Sequence, residues 1–179
     1  MNNILIYDNF LNEQDYNQIQ KLFAPSPPKH DETALPWYFF DSVVNQEDNG
    51  PDSYFFCHQF YNNYRILSDW YYELMPLISR IGALAIVRIQ ANCLTKTSDR
   101  IIFPYHNDID ITKYSNLLNN KCTTGIYYVN TNNGLTLFED GTEVQSIANR
   151  FVCYDSNTKH AGTTCTDAKR RIVINFNYF

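Results

Sequence analysis

His106, Asn107 and Asp108 set an imidazole and a carboxylate two positions apart, and a second imidazole, His160, lies further along just beyond a short apolar run. Two imidazoles and one carboxylate suit a ferrous ion that must keep positions open for other ligands. Side chains at i and i+2 of a strand point to one side, so His106 and Asp108 are predicted to reach one ion while Asn107 faces away. Arg171 opens the run Ile172, Val173, Ile174, Asn175, Phe176 and supplies a cation. Its planar fork binds a carboxylate through two bonds, which lysine cannot imitate.

The run alternates on a period of two. Arg171, Val173, Asn175 and Asn177 share a semi-polar face, whereas Arg170 shares the other with Ile172, Ile174 and Phe176. Arg171 is therefore predicted to line a wet pocket, with Arg170 as the alternative. His30 sits in a polar loop and His58 in an aromatic run, and both are assigned no functional role.

Residues 4–7 are predicted as a short strand, and Asn12 as the cap of a helix with Glu13 and Asp15 in its first turn and Tyr16, Ile19, Leu22 and Phe23 on one face. Residues 37–44 form a β-prone aromatic run. Tyr64, Leu67, Tyr71, Leu74, Met75 and Ile78 recur at helical intervals, which predicts a second helix that Pro76 breaks near its end. Beyond residue 83 come β-prone runs at 84–89, 101–105, 124–129, 135–138, 150–154 and 171–178, separated by turn-rich segments. That pattern predicts an antiparallel sandwich or barrel.

The chain has 179 residues, which fits a single domain over 1–179, with a helical and aromatic support region over 1–82 and the β core over 83–179. Its formal net charge of −5 gives no basic footprint for a polyanion, so nucleic acid is a poor partner. Five scattered cysteines without a C-x-x-C pair suit reduced thiols, and with no leader or membrane-length apolar run the sequence reads as soluble and cytoplasmic.

In these residues the chain resembles the Fe(II)/2-oxoglutarate-dependent dioxygenases of the prolyl-4-hydroxylase-like family. His106-Asn107-Asp108 is similar to that family's H-x-D, His160 to its distal histidine and Arg171 to its 2-oxoglutarate arginine. The stretch from Gly125 to Asn130 resembles its tyrosine-bearing strand, the stretch from Asn133 to Leu137 its G-x-L-x-L strand, and the stretch from Asn149 to Asp155 its N-R-x-x-x-F segment. Gly134 stands alone where the family often has a pair, and the interval from His160 to the arginine is slightly long.

The resemblance implies a mainly β fold with supporting α: a double-stranded β-helix, or jelly-roll, core with N-terminal helices packed on one sheet. It implies His106, Asp108 and His160 as metal ligands and Arg171, Tyr128 and Asn92 as cosubstrate contacts, with no catalytic residue beyond the ligands. Asn92 is placed at the end of a strand. The implied cofactors are Fe(II) and 2-oxoglutarate, with ascorbate as a candidate reductant. The implied activity is hydroxylation of a C–H bond in a peptidyl (prolyl, for example) or small-molecule substrate with release of succinate and carbon dioxide. A non-enzymatic β-sandwich binding module is the alternative, and a metal hydrolase is weaker because it leaves Arg171 unemployed. Loops 94–101 and 109–121 are expected as lids, and the aromatics of 37–60 as a buttress or groove wall.

Overall fold

Eleven strands and two helices make up the regular structure of the computed structural model, which describes residues 3–24, 35–42, 54–108 and 122–179. The larger sheet runs β1 (Leu5–Tyr7), β9 (Arg150–Asp155), β6 (Thr123–Tyr128), β11 (Arg170–Tyr178), β5 (Ile86–Thr95), β3 (Phe55–Asn62) and β2 (Tyr38–Phe40), with β4 (Arg65–Ile66) also paired to β3. A smaller sheet runs β10 (His160–Gly162), β7 (Leu135–Phe138) and β8 (Glu143–Gln145). Every paired strand is antiparallel, and the two sheets form a double-stranded β-helix.

Helix α1 (Glu13–Leu22) starts where predicted, with the Asn12 side chain accepting from the Asp15 amide. Its apolar face packs on the large sheet: Ile19 and Phe23 join Leu74, Leu77, Ile89, Ala91, Tyr127, Ile174 and Phe176 in the main core. Asn149 clamps the approach to that helix. Its Nδ2 donates to the Leu11 carbonyl, and its Oδ1 accepts from the Leu11 amide, both at 2.9 Å. Arg170 turns to the helix side of the sheet, where its Nη2 donates to the Phe23 carbonyl at 2.7 Å.

The second predicted helix is corrected. Tyr64 sits in the β3–β4 turn at φ 63°, Ile66 is in β4, and a 3-10 turn covers Asp69–Leu74 before α2 (Met75–Ile81). Pro76 opens this helix instead of breaking it, because a residue without an N–H costs nothing in the first turn, where that donor has no partner. Gly82 closes it at φ 67°, the left-handed conformation a helix end favours.

Two strand expectations also change. Residues 101–105 form no regular strand; they touch the small sheet only through isolated bridges, Ile102 to Thr163 and His106 to His160. Pro104, which has no N–H for a ladder, explains the interruption. Strand β5 continues to Thr95, so Asn92 lies inside the strand, facing Val173 and Cys57, and is no strand end. Strand β3 lies in the region expected to support the core, yet it is a member of the large sheet. His30 and loop 109–121 lie outside the described residues.

Candidate active site

Between the sheets lies a cavity of about 300 Å³. The alternation of β5 and β11 builds its floor: Leu94 faces Arg171, Asn92 faces Val173, and Gln90 faces Asn175 across the ladder, all six lining the space. The small sheet closes the other side with Thr136, His160 and Gly162, and the segment from His106 to Asp108 forms one end.

His106, Asp108 and His160 converge there, each offering one ligand atom within 4.8 Å of the others. Asp108 Oδ1 lies 3.8 Å from His106 Nε2 and 3.9 Å from His160 Nε2. The i, i+2 premise is not how this comes about, since no strand spans 106–108. Instead His106 and His160 exchange two backbone hydrogen bonds, at 2.9 and 3.0 Å, which set the imidazoles side by side. Asp108 follows in a bend, and Asn107 ties that bend down by donating to the Ser156 carbonyl at 2.9 Å.

Protonation states suit a cation. The His106 Nδ1 contacts the Pro104 carbonyl at 3.0 Å; a carbonyl only accepts, so Nδ1 carries the proton and the Nε2 lone pair turns to the cluster. Burial drives the His160 pKa down to about 4, against the pull of Asp108, so its ring is neutral at pH 7. Burial alone would raise Asp108, but Arg88, with Nη2 3.1 Å from Oδ1, and the two imidazoles outweigh it and hold the carboxyl below its ordinary range. Asp108 Oδ2 is buried without a hydrogen-bond partner. A buried orphan acceptor beside two imidazoles fits a divalent metal of the type that takes two histidines and one carboxylate.

Arg171 is 2% exposed. Its Nε donates to Ser146 Oγ at 2.7 Å and its Nη2 to Thr136 Oγ1 at 3.0 Å, and among the described residues no hydrogen bond or ion pair joins it to a carboxylate. A Cβ on Gly134 would fall 2.5 Å from Arg171 Cδ, so that glycine is what leaves room for the side chain. A buried guanidinium held by neutral groups, two hydroxyls and an aromatic ring, is costly unless an anion arrives from outside.

Asn92 lines the same cavity and accepts from Gln90 Nε2 at 2.6 Å. Tyr128 is buried beneath it. The Tyr128 hydroxyl donates to Thr136 Oγ1 at 2.8 Å, and its ring lies 5.7 Å from the Arg171 guanidinium, so it meets the cavity through Thr136 and Arg171. His58 is structural: Nδ1 meets the Pro36 carbonyl and Nε2 the Ser68 hydroxyl.

No family model matches the sequence, and no curated protein sequence matches it. Solved structures do. An oxidoreductase of the 2OG-Fe(II) oxygenase family from Burkholderia pseudomallei is 9% identical with a TM-score of 0.63, covering 98% of this chain and 84% of that one. A prolyl hydroxylase from Trichoplax adhaerens, in complex with a hypoxia inducible factor oxygen degradation domain peptide fragment, is 12% identical with a TM-score of 0.55, covering 98% and 83%. A Pseudomonas putida prolyl-4-hydroxylase is 12% identical with a TM-score of 0.51, covering 99% and 92%. The fold is that of the 2OG-Fe(II) oxygenases.

Within this oxygenase fold the inner wall carries side chains that the sequence reading passed over. Arg88, Gln59 and Gln90 line the cavity, beside Asn175 from the face already expected to carry Arg171. The signal was the period-two alternation of Arg88, Gln90 and Asn92 in an otherwise apolar run. Phe40 and Phe55 stack at 5.5 Å and line it too, so part of the aromatic run serves as wall, while Phe60 is core.

Proposed function

We propose that this protein is an Fe(II)- and 2-oxoglutarate-dependent dioxygenase that hydroxylates a C–H bond of a peptidyl or small-molecule substrate. The overall change is 2-oxoglutarate, dioxygen and substrate C–H going to succinate, carbon dioxide and substrate C–OH. The observation that carries the reading is the pairing, in one cavity, of the His106, Asp108 and His160 cluster with a buried Arg171 that has no anionic partner among the described residues.

His106, Asp108 and His160 would hold the iron, which supplies the oxygen activation and redox chemistry that side chains lack. Arg171, fixed by Ser146 and Thr136, would pair with the far carboxylate of 2-oxoglutarate and set its reach toward the metal ligands. Tyr128 would fix Thr136, and the Asn92 amide would border the cosubstrate. The cavity walls limit water around the reacting groups. Ascorbate is a candidate reductant for iron that oxidises without product. Five free thiols accord with the cytoplasm as the working compartment; no helix among the described residues is long and apolar enough to cross a membrane.

The test is anaerobic titration with ferrous ion and 2-oxoglutarate, followed by admission of oxygen. A visible iron-to-cosubstrate charge-transfer band and oxygen-dependent succinate are expected, both absent in His106→Ala. Arg171→Gln should raise half-saturating 2-oxoglutarate by about a hundredfold. No band, together with no ferrous-dependent rise in Tm on adding 2-oxoglutarate, would overturn the proposal.

A further inference from the structure

The cavity wall is more polar than a site for an apolar ring requires. Gln59 Nε2 donates to Gln90 Oε1 at 3.2 Å, and Gln90 Nε2 donates to Asn92 Oδ1 at 2.6 Å, a directional amide relay from β3 to β5. In the relay Gln59 only donates, and among the described residues no hydrogen bond reaches its carbonyl oxygen. On the other side of Gln90, across β5 from Gln59, Asn175 is 5% exposed, lines the cavity, and its Oδ1 is buried without a donor. A buried amide oxygen without a donor is rare in proteins, and this one belongs to a side chain that lines the cavity.

Arg88 adds charge to that wall. Its Nε donates to Asn177 Oδ1 at 3.0 Å, Asn177 Nδ2 donates to Thr124 Oγ1 at 3.0 Å, and Thr124 meets Ser156 at 2.9 Å, so a buried hydroxyl and amide chain fixes the guanidinium. One Nη2 bond goes to Asp108. A guanidinium has five donor hydrogens, so the cavity edge of Arg88 keeps others to offer. Among the described lining residues, Asp108 is the single acid against Arg88 and Arg171, and the two carboxylates of 2-oxoglutarate do no more than balance a divalent ion. One positive charge is left over.

Resting on the function proposed above, we infer that the substrate is a small polar acid, one carboxylate with a neighbouring N–H or O–H donor, the chemistry of free amino and hydroxy acids. Arg88 takes the carboxylate, and Asn175 Oδ1 and Gln59 Oε1 take the donors. A prolyl ring of a peptide offers neither group to this wall. The cavity, about 300 Å³ and at the small end for ligand sites, must also hold the cosubstrate, which leaves space for a small molecule.

The test uses the full chain with ferrous ion and 2-oxoglutarate, and measures succinate release stimulated by three sets of probes. These are the free L-α-amino acids with lactate and malate, the primary amide of each acid, and a peptide of repeating Pro-Pro-Gly. At least one acid is expected to stimulate, with its amide at least about tenfold weaker in kcat/KM. Arg88→Gln should raise the KM of that acid about tenfold, more than it lowers kcat, and Arg88→Lys should recover part of the loss. Because Arg88 also braces Asp108, Asn175→Leu is the second variant, with a rise in KM and an unchanged charge-transfer band expected.

Amides equal to acids, stimulation by the peptide with none by the acids, or silence from every acid while the band is intact each overturn the inference. Absence of the band, together with no ferrous-dependent rise in Tm on adding 2-oxoglutarate, removes the proposed function, and this inference with it.

Discussion

The two faces of β5 and β11 are built from the same strands and do opposite work. One face presents Ile89, Ala91, Cys93, Ile172, Ile174 and Phe176 to the helices, where all are buried in the main core. The other presents Arg88, Gln90, Asn92, Arg171 and Asn175 to the cavity. Burying such polar groups yields little net stability, since each exchanges bonds with water for bonds with protein, and orphans such as the Asn175 oxygen are a cost. The contrast teaches that stability is vested in the helix-facing side, while the inner side is arranged for a ligand that completes it.

The sharpest way to break this comparison is Asp108→Ala. Metal affinity should fall beyond the ~10–100-fold typical of residues that only orient a ligand, and the ferrous-dependent rise in Tm should vanish. A Tm that still responds to ferrous ion would move the metal elsewhere. On the opposite face, Ile174→Ala should cost roughly 2–5 kcal/mol in urea unfolding while leaving 2-oxoglutarate affinity near its original value below the transition. Equal damage to both readouts would deny that the faces are separable.

Acid offers a third probe. His160 has a folded pKa of about 4 against an ordinary 6.5, so between those values the unfolded chain binds more protons. Stability of the metal-free protein is then complete above about pH 6.5 and falls as pH drops toward 4, by on the order of 3 kcal/mol. Unfolding of His160→Gln should lack that part of the slope. The smallest effect on binding is expected from Gly134→Ala, whose Cβ displaces Arg171: half-saturating 2-oxoglutarate should rise about tenfold, with a fall in Tm because the neighbours it crowds are buried. If binding is unaltered, Arg171 is not the anchor.

Much of this was legible in sequence where a period carried it. The alternation of 171–177 separated Arg171 from Arg170, and the structure buries the first in the cavity wall and turns the second to α1. The capping pattern at Asn12 located α1. What was missed depends on long-range pairing. His106 meets His160 through a backbone bridge across distant segments, and no local pattern announces that. Helical spacing from Tyr64 to Ile78 misled, because the first of those residues belong to a hairpin whose partners lie elsewhere in the sheet. Arg88 was visible as a polar residue in an apolar alternation, but its pairing with Asp108 was not.

The five thiols have a consequence for how such questions can be pursued. Every one is free, and burial pushes each up, Cys57 and Cys93 to about 11, so thiolate is scarce at neutral pH. Alkylating reagents should therefore pass over the native cysteines of the folded protein. A cysteine introduced at exposed Leu84 would then be the preferred point of attachment for a fluorophore or spin label, and ligand-driven motion could be followed without first stripping sulfur from the chain.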